Sequence, residues 1–343
     1  MVVLRLGELP DAVDECQGLR KVAEGELALE RTVHLVPVLI PRHGPQYAVS
    51  TIPVAMVVSP EPHETTSAQL AAVTRAEKKR ARPELLAEAV FRPLASVLVR
   101  ALLPLRVSPT VVVLANALAG LAAAAAIFRG ELLVAALLLQ LKTVLDNADG
   151  QLARASGRTT ALGRYLDTEV DLVVNAALFG ALGLEAGLPL LAGAVFFALT
   201  LVLSSNFNEN VLHRRSRGEE VVTQPSAAEE GAVARGLARI YSLVFAPQDR
   251  VLQRFSRRRL ERSLVGVADP AVRRRTTIAY YDALTSLVLA NFGLSTQLAV
   301  LGVCLALGEP AFYLWFVVGC AASLPALQLR REIVARRAVR LRA

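Results

Sequence analysis

Four aspartates crowd into one stretch, KTVLDNADGQLARASGRTTALGRYLDTEVDLVVN, which runs from 142 to 175. Asp146 and Asp149 are spaced i, i+3, and Asp167 and Asp171 are spaced i, i+4. On helices each pair shares a face. A short basic turn separates the pairs, so their helices run antiparallel and both faces can meet at one depth. Asp146, Gly150 and Arg154 repeat every four residues, as do Gly163, Asp167, Asp171 and Asn175. A glycine inside a helix costs about 1 kcal/mol relative to alanine. One on each acidic stripe points to the close approach of a ligand or a metal to the backbone.

Four converging carboxylates repel, and some take up protons unless they are compensated. Arg154 and Lys142, four residues before Asp146, offset part of this charge. Divalent cations offset more. An all-oxygen donor set suits Mg²⁺ or Mn²⁺ better than zinc. Two carboxylate pairs can support two such ions, which clamp a phosphoryl group during in-line displacement.

The elements that must position these acids are apolar. Of the 343 residues, 54% are apolar, and the mean hydropathy is +0.44. Disorder, collagen and a disulfide-stapled scaffold are excluded, and Cys16, Cys304 and Cys320 are too few and too scattered for a zinc or disulfide framework. Lys plus Arg exceed Asp plus Glu by 38 − 30 = 8. Such a surplus suits nucleic acid or an anionic membrane face. The apolar runs decide for membrane lipid and against nucleic acid. A crossing helix needs roughly 20 apolar residues, and six segments qualify: 109–128, 131–150, 162–183, 187–207, 287–307 and 310–328. The second and third carry acids near one end, and the fifth is interrupted by Asn291, Gly293 and Gln297. Loops at 129–130, 185–187 and 308–309 are short and nearly free of positive charge, whereas 75–106, 154–164, 213–275 and the tail are rich in arginine. The positive-inside bias puts the arginine-rich set in the cytoplasm. The expected fold is an all-α integral membrane protein of six transmembrane helices, with both termini cytoplasmic.

Residues 1–65 read as a small cytoplasmic accessory segment of α/β-like character, with strands at VHLVPVLI (33–40) and YAVSTIPVAMVV (47–58). Its histidines, His34, His43 and His63, share no face. SPEPHETTS (59–67) is a linker. Residues 66–108 are linker and interfacial helix, the apolar stretch 93–105 lying on the inner leaflet. The membrane catalytic domain then covers 109–343, with a basic cytoplasmic insertion at about 213–280. Within it, 229–275 is basic and amphipathic and reads as a membrane-surface helix in preference to a solvated loop. The run ALAGLAAAAA (117–126) permits close packing against another span or another protomer.

From Asp146 to Asp171 the residues spell D-x-x-D-G-x-x-A-R-x₈-G-x-x-x-D-x-x-x-D, filling eight fixed positions in twenty-six. This resembles the signature of the CDP-alcohol phosphotransferases, integral membrane enzymes of phospholipid synthesis. The resemblance covers about 90–330. The family's T-P-N-x-V-T sequence corresponds here to Ser108-Pro109-Thr110-Val111-Val112-Val113, which lacks the Asn and the final Thr.

By position, the resemblance implies that Asp146, Asp149 and Asp167 are metal ligands. Asp171 becomes a shared ligand and the general base. Gly150, Ala153 and Arg154 line the CDP moiety, and Gly163 allows close approach. The implied reaction is attack of a polar acceptor's hydroxyl on the β-phosphorus of a CDP-alcohol, commonly CDP-diacylglycerol, with release of CMP. Two Mg²⁺ or Mn²⁺ ions and a homodimer come with the family, and a prokaryotic cell membrane is the expected location. Weaker candidates for acceptor binding are Asn175, Ser205, Asn206, Asn210, Arg214, Lys142 and the run Arg273 to Arg275. A cation or proton transporter that uses the aspartates, or an inactive scaffold of the family, would share much of this pattern.

Overall fold

The structure is a computed structural model that describes residues 33–41, 47–55, 81–219, 221 and 231–340. The expected linker at 59–67, the basic residues Arg75, Lys78, Lys79 and Arg80, and the positions of Cys16, His43 and His63 lie outside the described residues. The chain divides into two units, 1–65 and 66–343. In the first, β1 (Val33–Pro41) and β2 (Tyr47–Ala55) pair antiparallel, with Val33 opposite Ala55 and Pro37 opposite Thr51. Both coincide with β-branched runs of the sequence.

The described part of the second unit is helical. A π-helical turn at Ala87–Phe91 leads into α1 (Arg92–Leu102). The next four helices are α2 (Pro109–Phe128), α3 (Leu132–Ala155), α4 (Ala161–Glu185) and α5 (Pro189–Ser216). Then come α6 (Gly231–Ser263), α7 (Pro270–Tyr280), α8 (Ala283–Ala290), α9 (Leu294–Ala306) and α10 (Pro310–Arg340). Proline occupies the first turn of α2, α5, α7 and α10, where its missing N–H leaves no bond unmade. α1 buries Ala95 and Val99 against Val112, Ala148 and Leu152 and leaves Leu94 and Val97 exposed. That two-sidedness suits the interfacial position expected for 93–105.

Four helical stretches are long and apolar enough to cross a membrane: Pro109–Phe128, Pro189–Ser216, Pro270–Ala306 and Pro310–Arg340. The sequence suggested six. α3 and α4 have the length, at 24 and 25 residues, but their acids and bases dilute the apolar run. The stretch 270–306 is in three pieces. Asp282 caps α8 by accepting from Leu284 N and Thr285 N, and the chain breaks again at Asn291–Gly293, where the sequence places its interruption.

The largest core cluster joins α2, α3, α4, α5, α9 and α10 through side chains such as Ile127, Leu139, Leu178, Leu199, Leu301 and Leu314. The outer surface carries Leu118, Phe128, Leu137, Phe197 and Trp315, all more than half exposed. Large apolar groups facing outward around a packed interior are the mark of a surface solvated by lipid. One side of the small-residue run on α2 is used inside the chain, while Ala122 and Ala125 face outward. Ala119, Gly120, Ala123 and Ala124 are buried, and α2 packs against both α3 and α4.

Candidate active site

The acids sit on either side of a tight connection. α3 ends in a backbone motif in which Gly157 N donates to Arg154 O (3.3 Å) and Arg158 N to Ala153 O (2.9 Å). Gly157 takes φ +67°, a conformation that favours glycine. Thr160 then caps α4, its Oγ1 accepting from Gly163 N at 3.0 Å. A Cβ at Gly163 would stand 3.1 Å from that Oγ1, so the glycine keeps the cap close. The turn returns the chain antiparallel, as the basic linker suggested. Direct contact between α3 and α4 is slight, because α2 packs against both. The acids therefore face one another across a gap with α2 as its floor.

Across that gap, one oxygen each from Asp146, Asp149 and Asp167 can be chosen so that all three lie within 4.8 Å of one another. Asp149 is buried, and its Oδ2 has no hydrogen-bond partner among the described residues. Three carboxylate oxygens at this separation, beside a buried Asp149 oxygen without a donor among the described residues, fit a hard divalent cation. Asp171 has a different neighbour. Its Oδ1 accepts from Lys142 Nζ at 2.8 Å, and the lysine side chain is fully buried. Lys142 stands four residues before Asp146 on its own helix, and tertiary packing brings its ammonium into an ion pair on the neighbouring one while Asp146 stays close. Gly120 on α2 makes this approach possible. A Cβ there would meet Lys142 Cδ and Cε at 3.2 Å and collide with Val174.

The other residues expected at the CDP wall lie on the same two helices. The Arg154 guanidinium folds back over Gly150, where a Cβ would stand 3.1 Å from Nη1. Ala153 and Arg154 are half-buried at the end of α3, and Asn175 is buried one turn beyond Asp171. The acceptor candidates on α5 are brought elsewhere. Asn206 Nδ2 donates to Leu289 O (2.6 Å) and Ala290 O (3.1 Å), closing the end of α8. Asn210 Oδ1 accepts from Ala81 N at 2.8 Å. Arg214 pairs with Glu219 at 2.7 Å, and Ser205 donates to Leu201 O. Asn206 and Asn210 do share a small cavity with Arg82, Glu209 and Ser286. Arg273, Arg274 and Arg275 are exposed, and Arg273 Nη1 donates to Val267 O at 3.1 Å.

Several polar residues escaped the sequence reading. Asn116 on α2, one turn before Gly120, is fully buried, and neither of its amide atoms has a partner among the described residues. Its one signal was an amide inside an otherwise apolar run. Glu84 is buried and accepts from Thr296 N (2.9 Å) and Thr296 Oγ1 (3.1 Å). It thereby caps α9 from another part of the chain. Glu209 pairs with Arg331 and accepts from Ser286 Oγ at 2.6 Å, and Ser286 also meets His213 Nδ1 at 2.8 Å.

The sequence of this region has relatives. Residues 106–228 match the family described as CDP-alcohol phosphatidyltransferase. All four aspartates, Lys142 and Asn116 fall inside the match. The chain is also 32% identical over 163 residues to a phosphatidylinositol phosphate synthase of Streptomyces avermitilis. That alignment covers 46% of this chain and 62% of the relative, so the chain spans somewhat less than two thirds of the protein it matches. A shorter stretch of 49 residues is 43% identical to the bifunctional IPC transferase and DIPP synthase of Aquifex aeolicus, covering 14% of this chain and 11% of that one. Within the matched residues, Lys142 is the buried cation set among the acids.

Proposed function

We propose that the chain is a membrane transferase that moves a phosphatidyl group from a CDP-alcohol, with CDP-diacylglycerol as the donor, to the hydroxyl of a polar acceptor. The observation that carries this reading is the convergence of Asp146, Asp149 and Asp167 within 4.8 Å inside the matched domain. Those three, with Asp171 as a shared fourth ligand, would hold two Mg²⁺ or Mn²⁺ ions. When bound, such ions neutralise the diphosphate and the charge that develops on the leaving group.

The chain's own groups do the rest. Gly150, Ala153 and Arg154 bound the side of the gap where the CDP moiety sits, and Gly163 leaves room at its edge. Lys142 Nζ holds the Asp171 carboxylate in place through the 2.8 Å bond to Oδ1. Asp171 receives the proton of the acceptor hydroxyl. The acceptor oxygen forms its bond to the β-phosphorus, the bond from that phosphorus to the oxygen of CMP breaks, and CMP departs with the electron pair. Asn175, Asn206, Asn210 and Arg214 remain the acceptor candidates, and the cavity beside Arg82 supports Asn206 and Asn210 among them.

Counting α3 and α4 with the four apolar stretches gives six crossings, and the arginine-rich loops then put both termini in the cytoplasm of a prokaryotic cell. The acids open toward that side, where acyl chains stay in lipid while CDP and the acceptor arrive from water. A homodimer completes the proposal. The test is CMP release from CDP-diacylglycerol by purified protein with Mg²⁺ across a panel of polar alcohols. The name of the Streptomyces relative puts an inositol phosphate first in that panel. Absence of CMP release with every acceptor, from folded protein and with either metal, overturns the proposal.

A further inference from the structure

The helix α6 lies beyond the matched residues 106–228, and it is two-faced. Its inner face packs and bonds to the rest of the chain. Tyr241 packs on Tyr165 of α4 with ring centroids 5.6 Å apart. Asp249 accepts from Asn208 Nδ2 at 2.8 Å and from Tyr241 OH at 3.2 Å. Gln253 Nε2 donates to Asn208 Oδ1 at 2.7 Å, Ser256 Oγ meets Tyr281 OH at 3.3 Å, and Leu260 joins the cluster of Tyr280, Tyr281 and Ala335. This face fixes the helix to α4, α5 and the 270–281 segment.

The outer face has a different composition. Val233, Ile240, Leu243, Pro247, Val251 and Phe255 follow one another at steps of 7, 3, 4, 4 and 4 residues, which is a single helical stripe. All six are exposed, Leu243 by 76% and Val251 by 63%. Beside the stripe runs a second exposed row, Arg239, Arg250, Arg254 and Arg257. The helix holds eight arginines and no lysine, against the two acids Asp249 and Glu261. An apolar stripe edged by arginine is the pattern of a helix lying in a lipid interface, apolar side down and cations at head-group level. Charge selects the occupant. A second copy of α6 would bring an equally cationic row against this one, whereas lipid phosphates complement it.

We propose that the outward face of α6 is a docking surface for anionic lipid head groups, with the stripe from Val233 to Phe255 in the acyl boundary and the arginine row on the phosphates. This goes beyond the transferase reading and does not depend on it.

The test uses the full chain with Cys16, Cys304 and Cys320 replaced by serine and one cysteine introduced by Leu243→Cys, Val251→Cys or Arg239→Cys. Each variant is labelled with an environment-sensitive dye and placed in nanodiscs of phosphatidylcholine, with or without phosphatidylglycerol. The expected result is several-fold stronger quenching by doxyl-labelled lipid at 243 and 251 than at 239, increased by phosphatidylglycerol and reduced by the triple change of Arg239, Arg250 and Arg254 to glutamine. Equal access of aqueous iodide to all three sites overturns the proposal. So does lipid quenching indifferent to both phosphatidylglycerol and the arginines, or protection that follows protein-to-disc ratio, which would mark a second copy. Hydrogen exchange of 239–255 in unlabelled wild-type protein, slower in the anionic discs if the proposal holds and unchanged if it fails, keeps the test decisive should a cysteine variant misfold.

Discussion

Replacing Lys142 with methionine removes a fully buried ammonium and leaves Asp171 without its 2.8 Å partner. At that separation two unit charges attract by about 6 kcal/mol at an effective dielectric of 20. Desolvating both ions takes back much of this, and breaking a buried pair from one side costs about 3–5 kcal/mol. The Asp171 side chain keeps 19% exposure, so water reaches its carboxylate once the lysine is gone. That places the loss near the low end, at about 3 kcal/mol. Asp171→Asn in the Lys142→Met background then has no partner left to lose, so the double mutant is less destabilised than the sum of the singles by more than about 1 kcal/mol. The measurement is unfolding of the four proteins in mixed micelles by titration with SDS. CMP release falls by about 100-fold in Lys142→Met, the cost of misplacing a reacting group by about 1 Å. Singles that add to the double within about 0.5 kcal/mol would mean that the two residues do not interact, and the arrangement drawn for Asp171 would be wrong.

Four further outcomes are expected. Asp171→Asn abolishes CMP release while CDP-diacylglycerol still binds, measured by equilibrium binding; turnover near the wild-type rate would refute its role as the base. EDTA stops turnover and Mg²⁺ or Mn²⁺ restores it, and Mn²⁺ electron paramagnetic resonance sees ions that Asp149→Ala no longer binds; full activity in metal-stripped protein contradicts the metal assignment. Gly120→Val drives a side chain into Val174 and Lys142 and costs about 1–3 kcal/mol, whereas Gly180→Ala, with nothing within 4 Å, is neutral or stabilising by up to about 1 kcal/mol; similar melting shifts in both would discount the close approach. Burial holds the Asp249 carboxyl above its ordinary 3.8, against the hydrogen bonds from Asn208 and Tyr241, so the folded protein binds that proton more tightly than the unfolded chain does. Its contribution is greatest below pH 3.8 and is lost as pH rises through the folded value, so the melting-temperature gap between wild type and Asp249→Ala narrows from pH 4 toward pH 7, and a constant gap would contradict this.

Much of the centre was legible in the residues because helical spacing is a local property. The i, i+3 and i, i+4 pairs and the basic turn between them state which carboxylates share a face, whatever the rest of the chain does. The same holds for the break at Asn291–Gly293, since an amide and a glycine weaken a helix wherever they stand. The acceptor candidates on α5 were less legible. An asparagine at the end of a span reads alike whether its amide N–H groups are open to a ligand or, as with Asn206, donate to the carbonyls that finish a neighbouring helix. Asn116 was overlooked because one amide among valines and alanines leaves little periodic trace.

By itself, the sequence determined the acid set, its stripes, the run of apolar segments and the amphipathic character of α6, all of which follow from residue type and helical period. Packing between helices settled that Lys142 bonds Asp171 across the gap, that α2 rather than direct contact sets the gap between the acidic helices, and which face of α6 is left outward. Those depend on how far apart helices stand. That distance is fixed where a glycine such as Gly120 lets one backbone approach another's side chains, a relation between residues remote in the chain that no local spacing encodes.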